Sequence, residues 1–288
     1  MHDIPKSIPI KKIIQEAENI KTFVFEHTLN SSPGQFVNLW LPRINEKPMS
    51  IAYDDGREFW VTICAVGEFS RAMHNLKEGD LVGVRGPYGT SFTWEKGKHL
   101  VMVAGGYGAA PLYNLTTRAA KDGCIVDFII GARSKDQLIY TDRIHELENV
   151  SLHIATDDGS EGEKGYNVLI LEKIIKEAKE GKGFRVKCDG NMCKRKEVKI
   201  DPIDCVYTCG PEMMMKKVSE MCHEDGINAQ ISIERYMKCG FGVCGQCCTD
   251  ESGERMCKEG PVVSNEKAMK IAEFGKYHRD AEGKIHNF

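Results

Sequence analysis

Nineteen residues, Cys239 to Cys257, read CGFGVCGQCCTDESGERMC and place four cysteines at C-x4-C-x2-C-x9-C spacing. A segment that aims several thiolates at one point needs tight turns, and Gly240, Gly242 and Gly245 permit them. Glycines also let backbone N–H groups approach sulfur. The first three cysteines therefore belong to a loop able to wrap a small inorganic centre, and the rest of the chain has to serve it.

The ligand chemistry alone leaves alternatives open. Zinc takes similar thiolates, and buried free cysteines are a third reading. The C-x4-C-x2-C run is also the plant-type iron–sulfur spacing, which favours a [2Fe–2S] centre held by Cys239, Cys244, Cys247 and Cys257. Cys248 adjoins Cys247, and adjacent residues rarely point at one cluster, so it is read as a nonligand. A [2Fe–2S] centre moves one electron at a time, which makes the chain part of a redox relay.

At 288 residues the chain has room for two ordinary domains and a small module. It is 41% hydrophobic and 28% charged, with a formal net charge of -3. That balance suggests no nucleic-acid partner, and the run Lys194, Arg195, Lys196 is short enough for a solvated turn. No apolar stretch approaches a membrane span, and no long apolar N-terminal region suggests secretion. The expectation is a cytoplasmic protein with no membrane partner. Its 12 cysteines cluster late and beside glycines, which favours thiolate ligands in a reducing compartment over disulfides. Cys64, Cys124 and Cys222 read as ordinary small core residues.

Residues 1–97 read as short strands with turns. Ile20–His27, Phe36–Leu41, Phe59–Cys64 and Asp80–Val84 are the strands, with Pro33-Gly34 and Asp55-Gly56 between them. One short helix, Ser70–Leu76, is expected, capped by Ser70. This is the pattern of a small antiparallel barrel of six-stranded type. From residue 98 to 230 apolar strands alternate with helices. Strands are expected at Leu100–Ala104, Cys124–Ile130, Ser151–Ala155, Phe184–Lys187, Cys205–Thr208 and Ala229–Ile233. Helices are expected at Ala110–Ala120, Asp136–Leu147, Asn167–Glu180 and after Pro211. Such alternation means an α/β domain with a parallel sheet covered on both faces. Residues 231–288 hold the cysteine module and a charged tail expected to lie along the surface or against a partner.

The run VMVAGGYGAAPL, residues 101–112, is strand, glycine loop and helix. Gly105, Gly106 and Gly108 would let the backbone pass close to a diphosphate at the start of a helix. A tight strand–helix turn is the plainer reading. The run gains weight beside Cys209-Gly210-Pro211, which ends another strand of the same sheet. Both turns then fall at the carboxyl edge, where ligands bind, and Cys209 could touch a nicotinamide. Asp157 and Asp158 follow a third strand and could accept a ribose hydroxyl proton, although a solvent loop explains them equally well. In the barrel, Lys47, Pro48, Met49 and Ser50 precede a strand, and Gly67 to Ser70 precede the short helix. A cation, a hydroxyl and a helix start can share diphosphate charge; a plain barrel turn is the alternative.

A barrel, then GGYGAAPL, then CGPEMM, then CGFGVCGQC resembles ferredoxin-reductase-like proteins with a C-terminal [2Fe–2S] module. The phrases IERYMKCGFGVCGQCC, CKEGPVV and EFGKYHRD are most similar to electron-transfer subunits of B-type dihydroorotate dehydrogenases, in their archaeal form. The resemblance covers nearly the whole chain and implies FAD in the barrel and NAD(H) on the α/β domain. It also implies a separate FMN-containing catalytic subunit in a two-plus-two heterotetramer for pyrimidine biosynthesis. Electrons would pass from FMN through the [2Fe–2S] cluster and FAD to NAD+. By the same resemblance, Lys47, Pro48, Met49 and Ser50 match the flavin segment R-P-x-S, and Gly67 and Ser70 match its phosphate turn. Gly105, Gly106, Gly108 and Pro111 match the nucleotide loop, and Cys209, Gly210 and Pro211 the nicotinamide-side turn. Cys239, Cys244, Cys247 and Cys257 match the cluster ligands. No catalytic acid or base is implied.

Two departures stand out. The family arginine is Lys47, which keeps the charge but loses the bidentate fork; Arg43 could compensate. Residues 188–205 form an insertion, CDGNMCKRKEVKIDPIDC, in which Cys188 and Cys193, with Cys205 or Cys209, could bind another metal, a solvent hairpin being the alternative. Rival functions on the same layout are the flavin subunit of a cytoplasmic sulfite reductase or hydrogenase, a bifurcating NAD(P)H–ferredoxin oxidoreductase, and a zinc-bound regulatory subunit.

Overall fold

The computed structural model describes the backbone of residues 4–189 and 192–288, and side chains outside 184–199. Six strands close an antiparallel barrel in the order β1-β2-β5-β4-β3-β6. They are β1 Lys6–Ala17, β2 Ile20–Phe25, β3 Phe36–Leu41, β4 Asn45–Asp54, β5 Phe59–Cys64 and β6 Leu81–Tyr88. Alternate residues point inward along each strand, so Phe23, Phe25, Val37, Leu39, Phe59 and Val61 fill the interior. Helix α1, Glu68–His74, covers one end with Phe69 and Met73.

Two expectations for this region need correction. Ser70 is not the helix cap. Gly67 holds that position, and Ser70 lies three residues later, its Oγ accepting from the N–H groups of Val66 and Gly67 at 2.9 Å. Lys47, Pro48, Met49 and Ser50 lie within β4 rather than before a strand. The polar and proline-containing start of β4 conceals its pairing with β3.

The second layer is a seven-stranded sheet, β10-β9-β8-β7-β13-β14-β15, the last being Val262–Ser264. Its central strands β7 His99–Gly105, β8 Ile125–Ala132, β9 Val150–Thr156, β13 Cys205–Cys209 and β14 Ala229–Ser232 are parallel. Short β10, Glu163–Lys164, extends one edge. Helices α2 Ala109–Lys121, α4 Asn167–Glu180 and α5 Glu212–Glu224 connect the strands. The expected helix at 136–147 is broken: a short 3₁₀ turn precedes α3, Thr141–His145, because Tyr140 takes φ 65° and turns its ring into the barrel–sheet junction. Phe184–Lys187 does not join the sheet. It lies in β11, Lys182–Asp189, which pairs only with β12, Met192–Lys199, in a hairpin that puts Cys188 opposite Cys193 in backbone register. The side chains of both cysteines lie outside those described, and with them the second metal site.

The cysteine module is fused to this sheet. After the cysteine loop, β15, Val262–Ser264, pairs antiparallel with β14. The tail that follows is partly buried in its first part, 265–274, and lies at the surface from 275 onward. Helix α6, Asn265–Lys270, and the hairpin β16 Tyr277–Arg279 with β17 Ile285–Asn287 fold back on the chain. Ala268, Ile271 and Phe274 are buried against the cysteine module and α5.

Helix α2 lies against β4 and docks barrel to sheet. Arg118 Nη2 donates to the carbonyls of Ser31 and Asp54 at 2.9 and 3.0 Å. Tyr140 adds its hydroxyl 2.7 Å from Thr62 Oγ1. Hydrogen bonds from a charged donor contribute about 1.5–3 kcal/mol. Arg118→Met should therefore lower the urea midpoint of unfolding by an amount equivalent to roughly 2 kcal/mol; an unchanged midpoint would show that these carbonyls do not depend on the guanidinium.

Candidate functional site

One cleft of about 600 Å³ opens where barrel, sheet and cysteine module meet. The barrel supplies Lys47, Pro48, Met49 and Ser50 from β4 and Gly67 to Ser70 from the start of α1; the sheet supplies Gly108, Pro111 and Cys209. Residues 232–237 form the remaining wall and run directly into Cys239. Gly105, Gly106, Gly210 and Pro211 do not line it.

The glycines are required for a different contact than the sequence suggests. A Cβ on Gly108 would lie 2.2 Å from the Cys209 carbonyl oxygen, and one on Gly105 would lie 2.4 Å from Pro211 Cδ. Gly210, at φ +148°, comes within 2.8 Å of the Gly105 nitrogen in the same sense. The two turns at the carboxyl edge are thus packed backbone on backbone. Only Gly106, at φ +52°, has open space above it.

Ser70 does not offer a free hydroxyl. Besides accepting from two backbone groups, it donates to the Gly67 carbonyl at 3.1 Å, so it fixes the turn. Lys47 Nζ lies 4.8 Å from the ring centroid of Tyr236, which holds a cation against the cleft wall. Arg43 sits in the β3–β4 turn at φ 67°, exposed, and is not part of the cleft wall.

Sequence reasoning missed Tyr107, Glu234 and Tyr236, which all line the cleft. The only trace of the last two was the IERYMK phrase ahead of the cysteines. Glu234 is exposed where it opens onto the cleft. Partial loss of solvent, then the charge of Glu212, raises its pKa. Cys209 lies beside it, and burial pushes its thiol up to about 12, so it presents a neutral S–H at neutral pH.

Behind Glu234, Arg235 is 5% exposed and bidentate with Glu212, at 2.7 and 3.1 Å. Its Nε reaches Glu273 at 3.3 Å. Glu212 also accepts from the Gly275 N–H at 2.9 Å, and Glu273 from the Asp250 N–H at 3.3 Å. The start of α5, the cysteine module and the tail are joined by this one side chain.

In the cysteine loop, Cys239 is half-buried, Cys244 and Cys248 are exposed, and Cys247 and Cys257 are buried. Burial opposes ionisation of Cys239, but hydrogen bonds from the Cys244, Val243 and Phe241 backbone outweigh it and bring the thiol down to about 6. Val243 N–H lies 3.4 Å from Cys239 Sγ, and Cys257 N–H 3.3 Å from Cys247 Sγ. Cys239 hydrogen-bonds with Cys244 and Cys257 with Cys247, and Cys257 also lies near enough to Cys239 to feel its charge. Among the described residues no three ligating groups converge on a single-ion site. Two pairs, each with backbone donors aimed at sulfur, fit a two-iron centre, in which each iron takes two cysteines.

Comparison with known proteins agrees with this geometry. Residues 234–268 match the family model described as the iron-sulfur cluster binding domain of dihydroorotate dehydrogenase B. Residues 102–220 match the oxidoreductase NAD-binding domain. A Methanocaldococcus jannaschii protein named "probable dihydroorotate dehydrogenase B (NAD(+)), electron transfer subunit" is 44% identical over 275 residues, 96% of this chain and 95% of that one. The chain belongs to this family of electron transfer subunits. A Methanothermobacter thermautotrophicus relative of the same name is 39% identical over 98% of this chain and 97% of its own. Among solved structures, the NADH-dependent reduced ferredoxin-NADP oxidoreductase studied for flavin-based electron bifurcation superposes with a TM-score of 0.75. It is 26% identical, with 92% of each chain covered. The FAD/NAD-binding domain of a Vibrio cholerae nitric oxide dioxygenase, 18% identical with a TM-score of 0.60, covers 77% of this chain and 94% of its own and shares the fold. The chain is therefore an oxidoreductase subunit that works with a catalytic partner.

The backbone contact between the two turns gives a direct test. Gly108→Ala should part them and weaken NADH binding roughly tenfold or more, about 1.4 kcal/mol. Gly106→Ala should cost only the left-handed strain, about 1–2 kcal/mol of stability. NADH titrations and unfolding midpoints of the two variants distinguish these outcomes, and equal NADH affinity in both would contradict the assignment.

Proposed function

We propose that this chain passes electrons between an FMN-containing dihydroorotate dehydrogenase catalytic subunit and NAD+, in a two-plus-two assembly in the cytoplasm. The observation that carries this reading is the shared cleft: barrel, nucleotide turns and the lead-in to the cysteine loop wall a single space. Three working regions follow, at 1–97 for FAD, 98–230 for NAD(H) and 231–288 for the cluster and tail. Among the described residues, no helix is long and apolar enough to cross a membrane.

When bound, FAD exchanges a hydride with the nicotinamide and single electrons with the [2Fe–2S] cluster. Lys47 and the 67–70 turn would hold the diphosphate, with Tyr236 fixing Lys47. The backbone of Met49 and Ser50 would meet the flavin ring. Gly105, Gly106, Gly108 and Pro111 would shape the dinucleotide seat, and Cys209, Gly210 and Pro211 its nicotinamide end. The neutral thiol of Cys209 adds no charge there, while Glu234 supplies an exposed carboxyl facing the cleft. Cys239 and Cys244 would hold one iron, Cys247 and Cys257 the other. Around the exposed Cys244, Phe241 is 39% and Val243 76% exposed. An apolar tip beside an exposed ligand supports docking of the electron-donating partner at this point.

Two measurements test the proposal. Iron and acid-labile sulfide should fall in Cys244→Ser and stay at the parent level in Cys248→Ser; the reverse pattern contradicts the ligand set. In a reconstituted mixture, dihydroorotate should reduce NAD+ only when this chain accompanies the catalytic subunit, and Cys244→Ser should abolish that transfer while the partner still reduces an artificial dye. Transfer to ferredoxin together with NAD+ from one donor would favour the bifurcating reading instead, for which the TM-score of 0.75 is the supporting observation.

A further inference from the structure

The motifs account for the cleft and the cysteine loop, but not for a buried cation beneath that loop. Arg85 lies on β6 opposite Asn38 of β3, and its side chain is 8% exposed. Across β3, which separates β4 from β6, it pairs with Glu46 of β4. Arg85 Nε donates to Glu46 Oε1, and Nη2 to Oε2 at 2.7 Å. This is the bidentate fork that only arginine offers.

The other side of the guanidinium meets the start of the cysteine loop. It lies 5.5 Å from the ring centroid of Phe241 and 5.7 Å from that of Tyr88. Its Nη2 is 3.5 Å from the Lys238 carbonyl, which also accepts from Asn38 Nδ2 at 3.0 Å. Lys238 immediately precedes Cys239. The next residue, Gly240, has φ +85°, and a Cβ there would lie 2.8 Å from the Tyr88 ring. The loop is therefore seated on β3 and β6, with a buried cation at the carbonyl that precedes its first cysteine.

We propose that the Arg85–Glu46 pair sets the reduction potential of the iron–sulfur centre, which rests on the ligand reading given above. Reduction adds one negative charge to the cluster. A buried cation is screened little by salt and favours the reduced form. Arg85 is thus a positioning residue that raises the potential, and Glu46, acting behind it, limits the rise. Arg255 also touches the loop, donating to the Gly242 carbonyl at 3.0 Å, but it is 38% exposed and paired with Glu259, so solvent weakens its influence.

The test is an anaerobic redox titration of the cofactor-loaded chain, with the reduced cluster followed by electron paramagnetic resonance. Arg85→Met should lower the midpoint and Glu46→Gln should raise it, each by about tenfold in the reduction equilibrium, 59 mV for one electron. The double variant should return close to the parent value, because its net charge is unchanged. Shifts of one sign, a double variant further displaced than either single, or unmoved midpoints at full cluster occupancy overturn the proposal. If Arg85→Met does not assemble a cluster, the direction of the Glu46→Gln shift decides it. A parent chain without iron or acid-labile sulfide would instead defeat the ligand reading on which it rests.

Discussion

Arg235 connects the parts of this molecule that must exchange electrons. Its side chain is 5% exposed, and Nε, Nη1 and Nη2 donate to two carboxylates and a backbone carbonyl. A guanidinium removed from water is costly unless such partners surround it. Here each partner belongs to a different working part. Glu212 begins the helix that follows the Cys209 turn. Glu273 reaches the backbone of Asp250 in the cysteine module. The Glu234 carbonyl lies on the segment that lines the cleft. The positions of the Cys209 turn, the cleft wall and the cysteine loop are consequently set by one network rather than by three independent loops.

The same economy appears at the other junctions. Two turns meet backbone to backbone at the carboxyl edge of the sheet because Gly105, Gly108 and Gly210 carry no side chain. The cysteine loop rests on the barrel through Asn38, Arg85 and Tyr88. Its exit strand, β15, completes the nucleotide sheet. An electron carrier benefits from such fusion, because its cofactors require fixed separations and little reorganisation. The apolar tip at Phe241 and Val243 stays exposed.

Much of this was legible in the chain. Continuous apolar strands such as Leu100–Ala104 announce a buried parallel sheet, and the cysteine spacing announces a thiolate loop. Local signals failed where long-range contact decides the structure. Asp136–Leu147 has the composition of one helix, yet Tyr140 leaves it to pack against Tyr113 and hydrogen-bond to Thr62. Ser70 has the identity of a cap but acts from within the first turn. The tail after Ser264 is rich in charge, and its burial depends on Phe274 and Glu273 finding α5 and Arg235, which no local period encodes. Glu234 and Tyr236 escaped for the same reason: their importance comes from a cleft assembled by segments nearly 200 residues apart.

A dihydroorotate-oxidising partner is what the proposed function stands on. Anaerobic isolation of the chain from its native cells, with identification and stoichiometry of what accompanies it, reads that partner out. An FMN-containing dihydroorotate dehydrogenase subunit in equal amount is the expected result. A sirohaem sulfite reductase or a nickel hydrogenase in its place would contradict the substrate assignment while leaving the fold and the cleft as described.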